Sequence, residues 1–173
     1  MRALKRLWLG MLRSIAATLL KLIPNNQPHG TRLFAALCRH IWYIAFEATL
    51  LRRRSNGQIE VFLTKREPHD TYPGQWHIPG SIFRSMDNGP EDVAKRLAER
   101  EYCRPITSFE LVDRRFNPNE WRGKCLHLMY LITVQGDPPG GKWYPVDHLP
   151  EDLVLFHRHI MPAMVEAFEK KSS

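Results

Sequence analysis

The most constraining feature of the chain is the dipeptide Asn56-Gly57. It lies at the end of a polar run, Arg52 to Gly57, between two apolar segments, residues 41–51 and 59–64. Asn-Gly adopts the positive-φ turn whose twist matches paired strands, so the pattern predicts an antiparallel hairpin. A hairpin early in a chain of this size requires further strands to cover its apolar faces. With 173 residues, 43% of them hydrophobic, there is material for one such core and not comfortably for two.

The remaining pattern alternates between breakers and periodic runs. Residues 67–80 are rich in Pro, Gly, His and Asp and read as a loop ending in Trp76-His77-Ile78-Pro79-Gly80. Pro90 suits a first helical turn, and Glu91 and Asp92 suit its positive end, so a helix is expected over 91–102, stopped by Pro105. Strands are expected over 109–116, 126–134 and 142–146. A last helix is expected over 157–170, with Ile160, Met164, Ala167 and Phe168 as its apolar stripe. Mixed strands with well-separated helices define an α/β class, an α+β sandwich with its sheet between helices. Three cysteines, Cys38, Cys103 and Cys125, give neither a disulfide framework nor a zinc pattern; reduced, mostly buried thiols are expected.

Charge divides the chain. The first acidic residue is Glu47, and seven basic residues precede it: Arg2, Lys5, Arg6, Arg13, Lys21, Arg32 and Arg39. The net charge is +7, so the whole excess lies in the N-terminal quarter and the remainder is neutral. Residues 1–23 read as a basic amphipathic helix, with Leu4, Trp8, Met11, Ile15, Leu19 and Leu22 on one face. Pro24 and the residues up to Pro28 stop it, and a short helix is expected over 31–40. Arg13 and Lys21 interrupt the apolar run, so it is too short to span a bilayer. Lying on an anionic membrane surface and packing on the domain or a partner chain carry equal weight, while a nucleic-acid arm is disfavoured by the large apolar side chains. The expected location is cytoplasmic, with peripheral membrane attachment or organellar targeting left open. The organisation is thus 1–24, basic helix; 25–41, linker and short helix; 42–171, the domain.

Four features in order then carry a resemblance. They are a strand ending in Lys65-Arg66; the loop closing on Gly74-Gln75-Trp76-His77-Ile78-Pro79-Gly80; a helix alternating Arg and Glu; and Lys142-Trp143-Tyr144-Pro145-Val146-Asp147-His148-Leu149-Pro150 before the last helix. Over about 130 residues this resembles the Nudix hydrolase superfamily. The resemblance implies a substrate with a nucleoside diphosphate linked to another group, cleaved with Mg²⁺ or Mn²⁺ held by glutamates on one helix face. The family pattern runs Gly-x5-Glu-x7-Arg-Glu-U-x-Glu-Glu-x-Gly-U, U being bulky and apolar.

This chain departs from it. Counted from Ser81 without a gap, Asp87 takes the first Glu position, Lys95 the Arg, and Arg96, Glu99 and Arg100 the three helix Glu. With one inserted residue, Arg96 becomes the Arg, and the three Glu positions hold Leu97, Arg100 and Glu101; this spacing is slightly preferred. In either register at most one helix carboxylate survives. The resemblance assigns Glu101 or Glu99, with Glu120, to catalysis. It assigns Glu101, Glu99, Asp87 and the Gly80 carbonyl to metal, and Arg96, Arg100, Gly80 and Ser81 to phosphate. An arginine repels Mg²⁺ and attracts phosphate, so a metal-free anion site is the sharper expectation; solvated helix charges four residues apart are the blunter one. Two functions are therefore weighed. One is a Nudix-type hydrolase using Mg or Mn. The other is a catalytically silent module with no cofactor, binding a nucleotide-like small molecule, a membrane surface, a partner or RNA. His77 is expected as a loop hydrogen-bonder, and Trp76 and Trp143 as packing residues.

Overall fold

The computed structural model describes residues 2–23, 31–120 and 122–172. The expected stop at 24–28 and Trp121 in the last hairpin lie outside the described residues. Two N-terminal helices come first, α1 (Arg2–Lys21) and α2 (Thr31–Cys38). The hairpin follows as β1 (Tyr43–Arg53) and β2 (Ile59–Lys65). Gly57 takes φ +86, and the Gly57 amide donates to the Arg54 carbonyl at 2.9 Å, which closes the turn.

The segment read as pure loop contains two short strands, β3 (Trp76–His77) and β4 (Gly80–Ile82). Their pairing is non-local: β3 adds to the end of β2, while β4 crosses to pair antiparallel with β1, Gly80 opposite Glu47. Two- and three-residue strands leave no periodicity to read, which is why composition alone called for a loop. Next come α3 (Pro90–Leu97), a π-helical turn (Ala98–Tyr102), β5 (Ile106–Asn117), β6 (Cys125–Val134), β7 (Lys142–Pro145) and α4 (Leu155–Ser172). Cys103 ends the π turn in the left-handed region at φ +47. The main sheet order is β3-β2-β1-β6-β5, with β4 paired to β1 and β7 to β2. β1 and β6 are parallel and the other named pairs antiparallel, so the sheet is mixed.

β1 is central and buried on both faces, as a near-continuous apolar run should be. Its even positions, Phe46, Ala48 and Leu50, join Phe62, Tyr130 and Ile132 against Val93, Ala94, Leu97 and Tyr102 of the α3 side. On the opposite face, Leu51, Val61, Leu63, Met129 and Leu131 pack on Ile160, Met161 and Met164 of α4. This is the sandwich expected from the alternation of strands and helices. Of the α4 stripe, Ile160 and Met164 are buried, and Ala167 and Phe168 are partly buried against the same cluster. Cys38 and Cys125 are buried thiols, and Cys103 is exposed.

Candidate functional site

A cleft of about 290 Å³ opens beside the ends of β1 and β6. Its floor includes Tyr43, Ala45 and Glu47 of β1 and His127 of β6; the parallel register sets Ala45 against His127. Successive odd positions of a strand share a face, which brings these side chains together. One wall is β4 and the turn after it, with Arg84. The π turn and the end of α3 supply Arg96, Leu97, Arg100 and Glu101. The loop after β2 brings Arg66 and Asp70, and the β5–β6 hairpin brings Glu120 and Arg122.

Under the floor is a buried acid–histidine cluster. Glu47 is 6% exposed, and its Oε1 lies 2.8 Å from His127 Nδ1. His157 Nδ1 accepts the Ile78 amide at 3.0 Å, so its Nε2 carries the ring proton; that Nε2 faces Glu47 Oε2 at 3.5 Å. Burial opposes ionisation of Glu47, yet the hydrogen bonds from His127 and His157 overcome it and hold the carboxyl well below the usual range. Phe156 covers the His127 ring at 4.0 Å between centroids. His77 is not a loop residue but a buried one in β3, 3.0 Å from the Thr64 hydroxyl. Burial, then the Arg66 charge, lower its pKa well below the ordinary value.

Above the floor the charges sort into paired and unpaired. Arg96 grips Asp87 with two hydrogen bonds, 2.6 Å and 2.9 Å, and donates to the Ile82 carbonyl at 3.0 Å. Asp87 also accepts the Arg84 amide at 2.7 Å, and its side chain is only 2% exposed. The Arg96 hydrogen bonds lower the Asp87 pKa more than burial raises it. Glu120 accepts the Tyr43 hydroxyl at 2.6 Å and the Arg122 amide at 2.7 Å. Arg66 lies 3.9 Å from Asp70. The guanidinium groups of Arg84 and Arg100 have no hydrogen-bond or ion-pair partner among the described residues. Burial, then the neighbouring charges of Arg96 and Arg100, make the Arg84 cation less favourable than usual. An anion would relieve that crowding.

The structure brings together Gly80, Ser81, Arg96, Arg100, Glu101 and Glu120 on the cleft. Asp87 is adjacent but taken up by Arg96, and Glu99 is exposed and does not line the cleft. Arg96, not the exposed Lys95, pairs with Asp87, and Cys103 takes a positive φ. Sequence reasoning passed over Glu47, His127, Arg84 and Arg122. A lone Glu inside the apolar run of β1 was the available signal, because a buried carboxylate demands a partner. Trp76 and Trp143 pack as expected, on Tyr144 and Phe62.

A mixed sheet between helices, with a charged loop and helix closing a cleft at the strand ends, defines an α+β architecture. No family model and no curated protein matches the chain, but solved structures do. NrtR of Shewanella oneidensis aligns at 20% identity and a TM-score of 0.60, over 74% of this chain and 63% of that one. The MutT NUDIX hydrolase of Burkholderia pseudomallei aligns at 18% and 0.59, over 72% and 98%. The NUDIX domain of the same NrtR, in complex with ADP ribose, aligns at 18% and 0.59, over 81% and 99%. The chain thus spans about 63% of the full NrtR chain and nearly all of the isolated NUDIX domain. It adopts the Nudix fold.

The divalent cation associated with that fold does not suit the donors present. Mg²⁺ and Mn²⁺ take oxygen ligands. At the helix positions given by the spacing with one inserted residue, Leu97 offers none, Arg100 offers a positive charge, and only Glu101 remains, its pKa raised by burial. Among the described residues no three His, Cys, Asp or Glu side chains are arranged to hold a metal ion.

Proposed function

We propose that the domain recognises the diphosphate of a nucleotide-like ligand in this cleft without a resident metal, and that it is a binding module rather than a metal-dependent hydrolase. The observation that carries this reading is the pair Arg84 and Arg100, two cleft guanidiniums with no hydrogen-bond or ion-pair partner among the described residues. Guanidinium groups bond phosphate oxygens in a planar, charge-assisted way and need no metal to do so. Ser81 lines the same cleft and adds a hydroxyl to that surface.

The test is calorimetric titration of the full chain with ADP-ribose and with pyrophosphate, with either EDTA or Mg²⁺ present, while phosphate release is followed. Binding is expected to persist in EDTA, without turnover. Arg100→Ala should weaken it about tenfold, the low end for a charged hydrogen bond because Arg100 is exposed; Arg84→Ala, more buried, should cost more. Mg²⁺-dependent release that disappears in Glu101→Gln would replace this reading with that of a rewired hydrolase using Glu101 and Glu120.

A further inference from the structure

Every described side chain of α1 is exposed. Trp8 is 60% exposed, Met11 48%, Leu12 51%, Ile15 48% and Leu19 57%. At 100° per residue these five fall within a single arc, so the helix carries a continuous apolar stripe that is exposed among the described residues. Lys5, Arg6, Arg13 and Lys21 lie outside that arc, and no acidic residue occurs before Glu47. Thr18 falls on the apolar side, but its hydroxyl donates to the Ser14 carbonyl at 3.0 Å, and the Ser14 hydroxyl donates to the Gly10 carbonyl at 3.1 Å. Both polar groups are thus satisfied within the helix and can leave water without an orphaned donor. No helix among the described residues is long and apolar enough to cross a membrane.

We propose that α1 lies along the surface of an anionic lipid bilayer, its Trp8–Ile15–Leu19 stripe in the acyl boundary and its lysines and arginines at the headgroups, holding the cleft domain at that surface. A second copy of the chain is the competing occupant for an apolar stripe. Pairing two such helices would bring together basic side chains with no acid to offset them, whereas anionic headgroups neutralise them. The helix is about 30 Å long, which gives room for several headgroup contacts along its axis. This inference does not depend on what the cleft binds.

Flotation of the full chain with phosphatidylcholine vesicles, alone or mixed with phosphatidylglycerol, tests it. The chain should float with the anionic vesicles only, and the bound fraction should fall in high salt. Ile15→Glu with Leu19→Glu should reduce partitioning at least tenfold, and each of Lys5→Gln and Arg13→Gln about fivefold. Because these side chains are exposed, the thermal unfolding of the domain should be unchanged. No flotation with anionic vesicles, or flotation that survives the Ile15 and Leu19 substitutions, overturns the proposal. So does a concentration-dependent dimer that the same substitutions abolish while vesicle binding is absent.

Discussion

Replacing Asp87 by Asn keeps the size of the side chain and removes its charge. In the native structure both carboxylate oxygens are engaged: Oδ1 by Arg96 at 2.6 Å, Oδ2 by Arg96 at 2.9 Å and by the Arg84 amide at 2.7 Å. An amide in that place keeps one acceptor and turns an NH₂ toward a donor. The Arg96 side chain, 13% exposed, is left without its counter-ion. Breaking one side of a buried ion pair costs roughly 3–5 kcal/mol. The cleft admits water on the Arg96 side, so the low end applies, about 3 kcal/mol. With a urea slope of about 2 kcal/mol per molar, the midpoint should fall by about 1.5 M. Asp87→Asn combined with Arg96→Met should lose less than Asp87→Asn alone, because no charge is then left buried. The pH dependence follows from the depressed carboxyl. Its contribution is present above the unfolded value of 3.8 and is lost as pH falls through the lower folded value; Asp87→Asn should abolish that component of acid lability. A midpoint shift below about 0.3 M in the single variant would refute the assignment of this pair as the anchor between the post-β4 turn and α3.

Three further outcomes are expected. His77 is neutral in the fold, with its pKa below the unfolded 6.5, so the unfolded chain takes up a proton that the folded chain refuses. Stability should decline as pH falls below about 6.5, by up to about 1.4 kcal/mol per pH unit for this group, and His77→Gln should flatten that slope in urea titrations at several pH values. A Cβ at Gly80 would meet the Glu47 carboxylate and sit 2.9 Å from the Phe46 carbonyl. Gly80→Ala should therefore cost about 1–3 kcal/mol, read as a lower melting temperature. Leu97→Glu with Arg100→Glu would place three carboxylates at the helix positions with Glu101. This variant should gain Mn²⁺ binding by calorimetry and lose pyrophosphate binding, at reduced stability because Leu97 is 2% exposed in the core. Equal Mn²⁺ affinity in the unaltered chain would show that the lost carboxylates do not decide metal binding.

The local signals held where they were strong. Asn56-Gly57 marked a hairpin, Pro90 with Glu91 and Asp92 marked the start of α3, and the lack of acidic residues before Glu47 set the N-terminal helix apart. Each rests on backbone conformation or on composition, which act within a few residues and so can be read without neighbours. The chemistry of Leu97 and Arg100 was equally plain, since neither offers a metal ligand wherever it points.

Tertiary structure decided the rest. Two- and three-residue strands such as β3 and β4 form only because β1 and β2 present unpaired edges, and a two-residue segment has no period to reveal it. Which base of the helix meets Asp87 was open by counting; in space it is Arg96, because a buried carboxylate requires a partner. Glu47, His127 and His157 come from three separate elements, and only the parallel pairing of β1 with β6 and the docking of α4 bring them into one cluster. Composition and periodicity fix what each segment can be. Which charges meet is set by packing between segments distant in the chain, because burial makes an unpartnered charge too costly to leave alone.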